Sequence, residues 1–255
     1  MLNRLQFLEV GIVQNLSEIE FKPSVFSAND FIKLRSIGNL NKYRKHETIF
    51  FPESPYRFIY ILNRGKVKVY RISKRGKETI IRILQPYDMF GEYAILGDYQ
   101  SRESVQAMEE CELLLISRND FVQVLSTDVD LLMKFNRMLL ERNYDLETYL
   151  ADLSFRDVNV RMIKKLVELA QKFGRPSKEG LVIDLKITQY ELGNLIGATR
   201  ETTSTVLNGF KRDGLVVIDG RKIIITDLEA LTERVSDDQV TLQAEANEKE
   251  VQESS

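Results

Sequence analysis

The residues best placed to do chemistry lie in "ITQYELGNLIGATRETTSTVL", residues 187–207. Arg200 carries a two-pronged donor that matches the acceptors of guanine, and the Glu201 carboxylate can accept from the cytosine amino group. Both follow Gly197, which permits a sharp turn, and Thr199, whose hydroxyl can cap a helix starting at Arg200. Leu192, Ile196, Val206 and Phe210 are spaced to pack two short helices together. That spacing leaves Arg200, Glu201, Ser204 and Thr205 facing outward on the second helix. A helix entering the major groove of double-stranded DNA presents its amino-terminal residues to base edges. Thr199 itself, with Thr188 and Gln189 at the start of the first helix, completes the candidate DNA-contacting set. The competing reading is a helical hairpin inside a core, with Arg200 and Glu201 as a solvated ion pair.

Other chemistry is limited by residue type. One cysteine, Cys111, rules out an internal disulfide and a multi-cysteine zinc or iron–sulfur site on this chain. One histidine, His46, leaves no material for a His-rich metal centre, so no metal site is expected. A jelly-roll enzyme would need several histidines, and a single histidine completes no convincing catalytic set. That reading remains only as a remote alternative. A second candidate site is the stretch "MFGEYAILGDYQSRESVQA", residues 89–107. Backbone N–H groups around Phe90, Gly91, Glu92 and Tyr93 could cradle an anion, with Arg102 supplying charge.

These residues need elements to hold them. The 255-residue chain is long enough for two domains, and 43% hydrophobic with 29% charged residues is a globular composition. No apolar run approaches the roughly 18 residues that a membrane span needs, and the amino terminus lacks a secretory pattern. Net charge is −2, yet residues 175–222 hold eight basic and six acidic side chains. The end of the chain masks this local excess: residues 236–255 hold six acids and one lysine. We expect an acidic disordered tail over 233–255.

From His46 to about Arg118 the chain reads as short strands with glycine turns at Arg64-Gly65 and Arg75-Gly76, which suggests a β sandwich or jelly roll. Residues 119–153 then read as one long helix. Leu132, Leu139, Leu146 and Leu153 fall seven apart, with Phe135, Arg142 and Tyr149 three after the first three leucines. That heptad seam predicts pairing with a second copy through Leu132, Phe135, Leu139, Leu146 and Leu153. The alternative is a helix lying on its own domain. Past a break at 154–157 comes a further helix, then a strand "LVIDLKI", the two short helices, and "GLVVIDGRKIIIT". The last reads as a hairpin turning at Asp219-Gly220. Helix, helix, hairpin is a winged helix-turn-helix.

Over residues 187–226, "ITQYELGNLIGATRETTSTVLNGFKRDGLVVIDGRKIIIT" closely resembles the DNA-binding domain of the Crp/Fnr transcription regulators. The resemblance extends over about residues 40–232. It implies an α+β chain in five parts: a helical segment (1–40), a β-roll sensor (41–120), a long dimerisation helix (121–154), a winged helix-turn-helix (155–232) and the tail. The β-roll is the jelly-roll type of cyclic-nucleotide-binding domains. Arg200 and Glu201 would touch bases, and Thr205 stands where the family's catabolite activator has a second base-reading arginine. A homodimer would read a two-fold operator with half-sites ~34 Å apart. Recruitment of RNA polymerase and a cytoplasmic location, or alternatively a plastid stroma, are also implied.

The same resemblance makes residues 89–107 an effector cassette. Glu92 would take a ribose hydroxyl in cyclic-nucleotide binders. This chain has Ser101-Arg102 in reversed order and Glu103 where a small residue is usual, while Leu146-Glu147 replace an adenine-contacting pair. Those departures favour a different effector. "ERNYDLETYLADLSFRD" and "KFGRPSKEGLVIDLKIT" resemble the cyanobacterial nitrogen-regulating branch of the family, whose effector is 2-oxoglutarate. By that likeness Arg142 and Glu147 would bind the effector. They sit five residues apart, so Arg142 would serve its own subunit and Glu147 the partner. The expected effector is 2-oxoglutarate, with cyclic AMP behind it. The alternative is an effector-independent regulator.

Overall fold

The computed structural model describes residues 21–235 apart from Tyr56, Asp98 and Tyr99. It forms two compact units, Pro23–Leu150 and residues 151–235 with Phe21 and Lys22.

The first unit opens with α1 (Ala28–Arg35), started by a capping box in which Ser27 and Asp30 exchange side-chain and backbone hydrogen bonds. Eight strands follow: β1 (Gly38–Tyr43), β2 (Thr48–Phe50), β3 (Phe58–Arg64), β4 (Val67–Ile72), β5 (Glu78–Leu84), β6 (Met89–Phe90), β7 (Ser104–Ala107) and β8 (Cys111–Ser117). They make two antiparallel sheets, β1-β8-β3-β6 and β2-β7-β4-β5. Ile59, Ile61, Leu113, Leu114 and Ile116 of one sheet join Val67, Val69, Leu84 and Val105 of the other in a single apolar cluster. Burial of those inward rows is what holds the roll closed.

Two details differ from the sequence reading. Strand structure begins at Gly38, ahead of His46 and inside the segment expected to be helical; residues 1–20 of that segment lie outside the described residues. The strands either side of Arg64-Gly65 do not pair with each other, because β3 and β4 belong to different sheets. Gly65 turns the corner at φ 95°, where a Cβ would lie 2.5 Å from the Glu110 carbonyl. Only glycine fits there.

The expected single long helix is two. α2 (Arg118–Thr127) stops at Asp128, whose backbone is extended, and α3 (Val129–Phe155) starts anew. Asp128 Oδ1 accepts from the Leu131 amide at 3.1 Å, so a capping aspartate breaks the run.

The second unit starts with α4 (Val158–Phe173), capped by Asp157, then β9 (Gly174–Ser177) and β10 (Gly180–Ile183). The strand ends at Ile183, earlier than "LVIDLKI" suggested. α5 (Gln189–Ile196) and α6 (Arg200–Arg212) precede the hairpin of β11 (Val216–Asp219) and β12 (Lys222–Ile225). The sheet order is β11-β12-β10-β9. Because Asp219 pairs with Lys222, the turn is centred on Gly220-Arg221, one residue later than expected. Residues 228–235 are helical and Val235 is buried, so a tail starting at 233 is too early; 236–255 lie outside the described residues.

Candidate DNA interface and sensor site

The interface is built by two capped helices meeting at a glycine. Thr188 caps α5, its hydroxyl accepting from the Glu191 amide at 3.1 Å, while the Glu191 carboxylate accepts from the Thr188 amide at 3.0 Å. Gly197 ends α5 in the left-handed conformation (φ 67°, ψ 34°). Thr199 then caps α6, accepting from the Thr202 amide at 3.2 Å. A Cβ at Gly193 would sit 2.7 Å from Thr203 Oγ1, so this glycine lets the two helices approach closely. Leu192, Ile196, Val206 and Phe210 are all buried between them.

What remains outside is polar. Arg200, Glu201 and Thr205 are exposed and Ser204 is half-buried. The Glu201 carboxyl is held below its ordinary range by its own backbone amide and the Thr199 hydroxyl, so it presents a charged acceptor. Thr205 differs: its hydroxyl donates to the Glu201 carbonyl at 3.0 Å and is spent inside the helix. Thr188, Gln189, Tyr190, Arg200 and Arg221 line one groove of about 420 Å³. Tyr190 and Arg221 escaped the sequence reading; Arg221 was hidden by the one-residue error in the turn. Free amides at the start of α5 and a guanidinium at the hairpin tip suit a phosphate.

The sensor unit holds a buried charge cluster. Phe90 is buried, stacked on Tyr60 with ring centroids 4.7 Å apart. Gly91 adopts φ 80° and starts a short 3-10 helix, Glu92–Leu96, in which Tyr93 is half-buried. Glu92 points inward, its side chain 9% exposed, with Oε1 2.7 Å from Arg142 Nη1 of α3 and 3.6 Å from Arg82 Nη2 of β5. Arg142 also donates to the Met89 carbonyl. Glu103 faces the same cluster, 3.7 Å from Arg82 and 3.9 Å from Arg71. Burial opposes charge on Glu92, but Arg142 and Arg82 outweigh it and hold the carboxyl below its ordinary range. Burial and the nearby Arg82 pull Arg142 down; we take it as cationic, since guanidinium stays protonated in proteins. Alignment is poor: Arg82 Nε and Nη2, Arg142 Nη1 and Glu92 Oε2 are buried without a hydrogen-bond partner.

Of the other expected effector residues, Arg102 lies outside this cluster, and Glu147, read as serving the partner subunit, faces outward on α3. Arg102 is exposed in the irregular segment ahead of β7, where its neighbours Ser101 and Glu103 are buried instead. Its place is taken by Arg82, which a register shift after Ile80 sets opposite core-facing Val69 of β4. An arginine among the isoleucines of "ETIIRIL" was the available signal. Glu147 is exposed and accepts from the Asn143 side chain at 2.7 Å.

The seam on α3 also needs correction. Leu132, Leu139, Leu146 and Leu153 are 37%, 37%, 54% and 39% exposed, an apolar row left at the surface among the described residues. Phe135 does not belong to it: at 7% exposure it packs edge-on to Phe121, centroids 5.7 Å apart. The exposed companions fall four residues on, at Asn136, Asn143 and Leu150. Alternating steps of four and three keep this row on one face, whereas steps of three turn Phe135 and Arg142 into the unit's own interior.

Among the described residues there is no cluster of three metal-ligating side chains, and no helix is long and apolar enough to cross a membrane.

Comparison with known proteins places both sites in context. Residues 40–128 match the family model of the cyclic nucleotide-binding domain, and residues 160–234 that of the Crp-like helix-turn-helix domain. The chain is 31% identical over 192 residues to the CRP-like cAMP-activated global transcriptional regulator of Mycobacterium tuberculosis, covering 75% of this chain and 86% of that one. It is 29% identical over 185 residues to the global nitrogen regulator of a Nostoc species, covering 72% and 83%. Among solved structures, the c-di-GMP responsive regulator CLP of Xanthomonas campestris shares the fold with a TM-score of 0.69 at 22% identity, covering 79% of this chain and all of that one.

Proposed function

Because the chain belongs to the Crp/Fnr family of DNA-binding transcription regulators and not to an enzyme family, we propose that it acts as a homodimer on a two-fold DNA operator. Arg200 and Glu201 read bases, with Ser204 beside them. Thr188, Gln189, Thr199, Tyr190 and Arg221 grip phosphates, and Thr205 helps hold the helix. The observation carrying this reading is the polar leading edge of α6, held out from a buried and doubly capped helix pair. Leu132, Leu139, Leu146, Leu150 and Leu153 form the dimer seam. Contact with RNA polymerase and a cytoplasmic location are part of the same proposal, supported by the likeness to transcription regulators. Selection of bound DNA from a random pool tests the reading: a two-fold consensus supports it, and recovery of random sequence refutes it.

For the sensor, the first reading is a small anionic effector between the β-roll and α3, with 2-oxoglutarate ahead of cyclic AMP. Effector binding would shift the population between poses of the DNA-binding domains. One observation favours the second reading, an effector-independent regulator: Arg142 already has a carboxylate at 2.7 Å. Calorimetric titration separates the two, because saturable heat from either compound restores the first.

A further inference from the structure

We infer that Glu92 is a tethered anion, occupying from within the chain a carboxylate seat formed by Arg142 and Arg82. This rests on the effector-independent reading and gives it a cause.

The seat has the parts a carboxylate needs. Two guanidinium groups converge on Glu92 Oε1, at 2.7 Å from Arg142 and 3.6 Å from Arg82. Glu92's own amide donates to the same carboxylate. Arg142 belongs to α3, while Glu92 and the Met89 carbonyl that it also holds belong to the β-roll. Carboxylate and arginine together therefore fasten α3 to the roll. A free effector bridging those elements would do the same work.

Charge balance argues against an added anion in the intact protein. Arg82 and Arg142 are matched by Glu92 and Glu103, with half-exposed Arg71 at the rim 3.9 Å from Glu103, so the two inner guanidiniums already have a carboxylate each before any ligand arrives. A dianion would bring excess charge and displace Glu92, stranding a buried carboxylate. Tethering also gives Glu92 a high effective concentration against any competitor in solution. Yet its fit is imperfect. Arg82 Nε, Arg82 Nη2 and Arg142 Nη1 have no aligned acceptor, so donors remain that a freely oriented carboxylate could satisfy. Remove the tether, and the seat becomes a site for a small monocarboxylate.

The test uses the full chain, its selected operator, and acetate as probe. Melting temperature and operator affinity of the wild type should not respond to millimolar acetate beyond the effect of chloride at equal ionic strength. Glu92→Ala should melt several degrees lower and bind the operator about tenfold or more weakly. Acetate should restore both, while neutral acetamide should not. Glu92→Gln, which fills the seat without charge, should be weakened and not rescued. Wild-type behaviour of Glu92→Gln, or rescue of Glu92→Ala no better by acetate than by chloride, overturns the proposal. Should the wild type select no operator, the DNA-binding reading falls, and the melting measurements alone still decide the seat.

Discussion

Asp30 on α1 and Lys134 on α3 lie 104 residues apart in sequence and 3.0 Å apart in space. Asp30 is 2% exposed and also closes the capping box with Ser27, so one carboxylate starts a helix and anchors another. Burial pushes its pKa up, but Ser27 and Lys134 together hold it below the ordinary value. Asp30→Ala should therefore cost the sensor unit about 2–3 kcal/mol, combining a lost cap with a broken, partly buried pair. Denaturant unfolding monitors this; a loss under about 0.5 kcal/mol would mean the pair is ornamental.

Arg200→Ala should lose discrimination at one guanine of each half-site by ~1–3 kcal/mol, with affinity for unrelated DNA nearly unchanged. Binding titrations against single-base operator variants read this directly. Equal weakening on every sequence would reassign Arg200 to phosphate.

The α3 row predicts different outcomes for two apolar residues on different faces of the helix. Leu146→Glu should convert the dimer to monomer in sedimentation velocity while leaving the fold intact. Phe135→Ala should instead destabilise the unit by ~3–5 kcal/mol through the cavity beside Phe121. The opposite assignment, with Phe135→Ala splitting the dimer at unchanged stability, would restore the seam first read from the sequence.

Acid should loosen the sensor unit, and the sign follows from the direction of two shifts. Glu92 and Asp30 are held below their ordinary values of 4.5 and 3.8. Their stabilisation is complete above those unfolded values and disappears as pH falls through the lower folded ones. Melting temperature should fall as pH drops below about 4.5, and Glu92→Gln should flatten that dependence. An identical acid profile in wild type and variant would remove Glu92 from the account.

Gly193→Ala places a methyl 2.7 Å from Thr203 Oγ1 and should weaken both folding and operator binding by about 1–3 kcal/mol. Stability measured by denaturant and affinity measured on the same sample should fall together. A variant that keeps its affinity would show that the closeness of α5 and α6 does not matter to the interface.

How much of this was legible in the chain varies with the range of the interactions involved. The helix pair was readable because its determinants are local: caps at Thr188 and Thr199, a left-handed glycine, and apolar spacing. Strand existence was readable for the same reason, but pairing was not. Nothing near Gly65 says that β3 and β4 join different sheets, since that depends on partners 34 to 59 residues away. In the charge cluster, Glu92 and Arg142 were found by resemblance, while Arg82 required knowing which face of β5 turns inward. The seam failed for a subtler cause. A sevenfold leucine repeat fixes the stripe but not whether its companions stand three or four residues on, and only the burial of Phe135 decides it.

That seam carries two asparagines, Asn136 and Asn143, between leucine layers. Within the chain each amide already donates along its own helix, Asn136 to the Leu132 carbonyl at 3.0 Å and Asn143 to Glu147 at 2.7 Å, so in the proposed dimer each would exchange that bond for one to its twin. Against a foreign helix with an aliphatic residue at the same level, the amide would be stranded in a greasy setting. In the dimer proposed above, those two amides would favour a second copy of this chain over a helix that is aliphatic at the same levels.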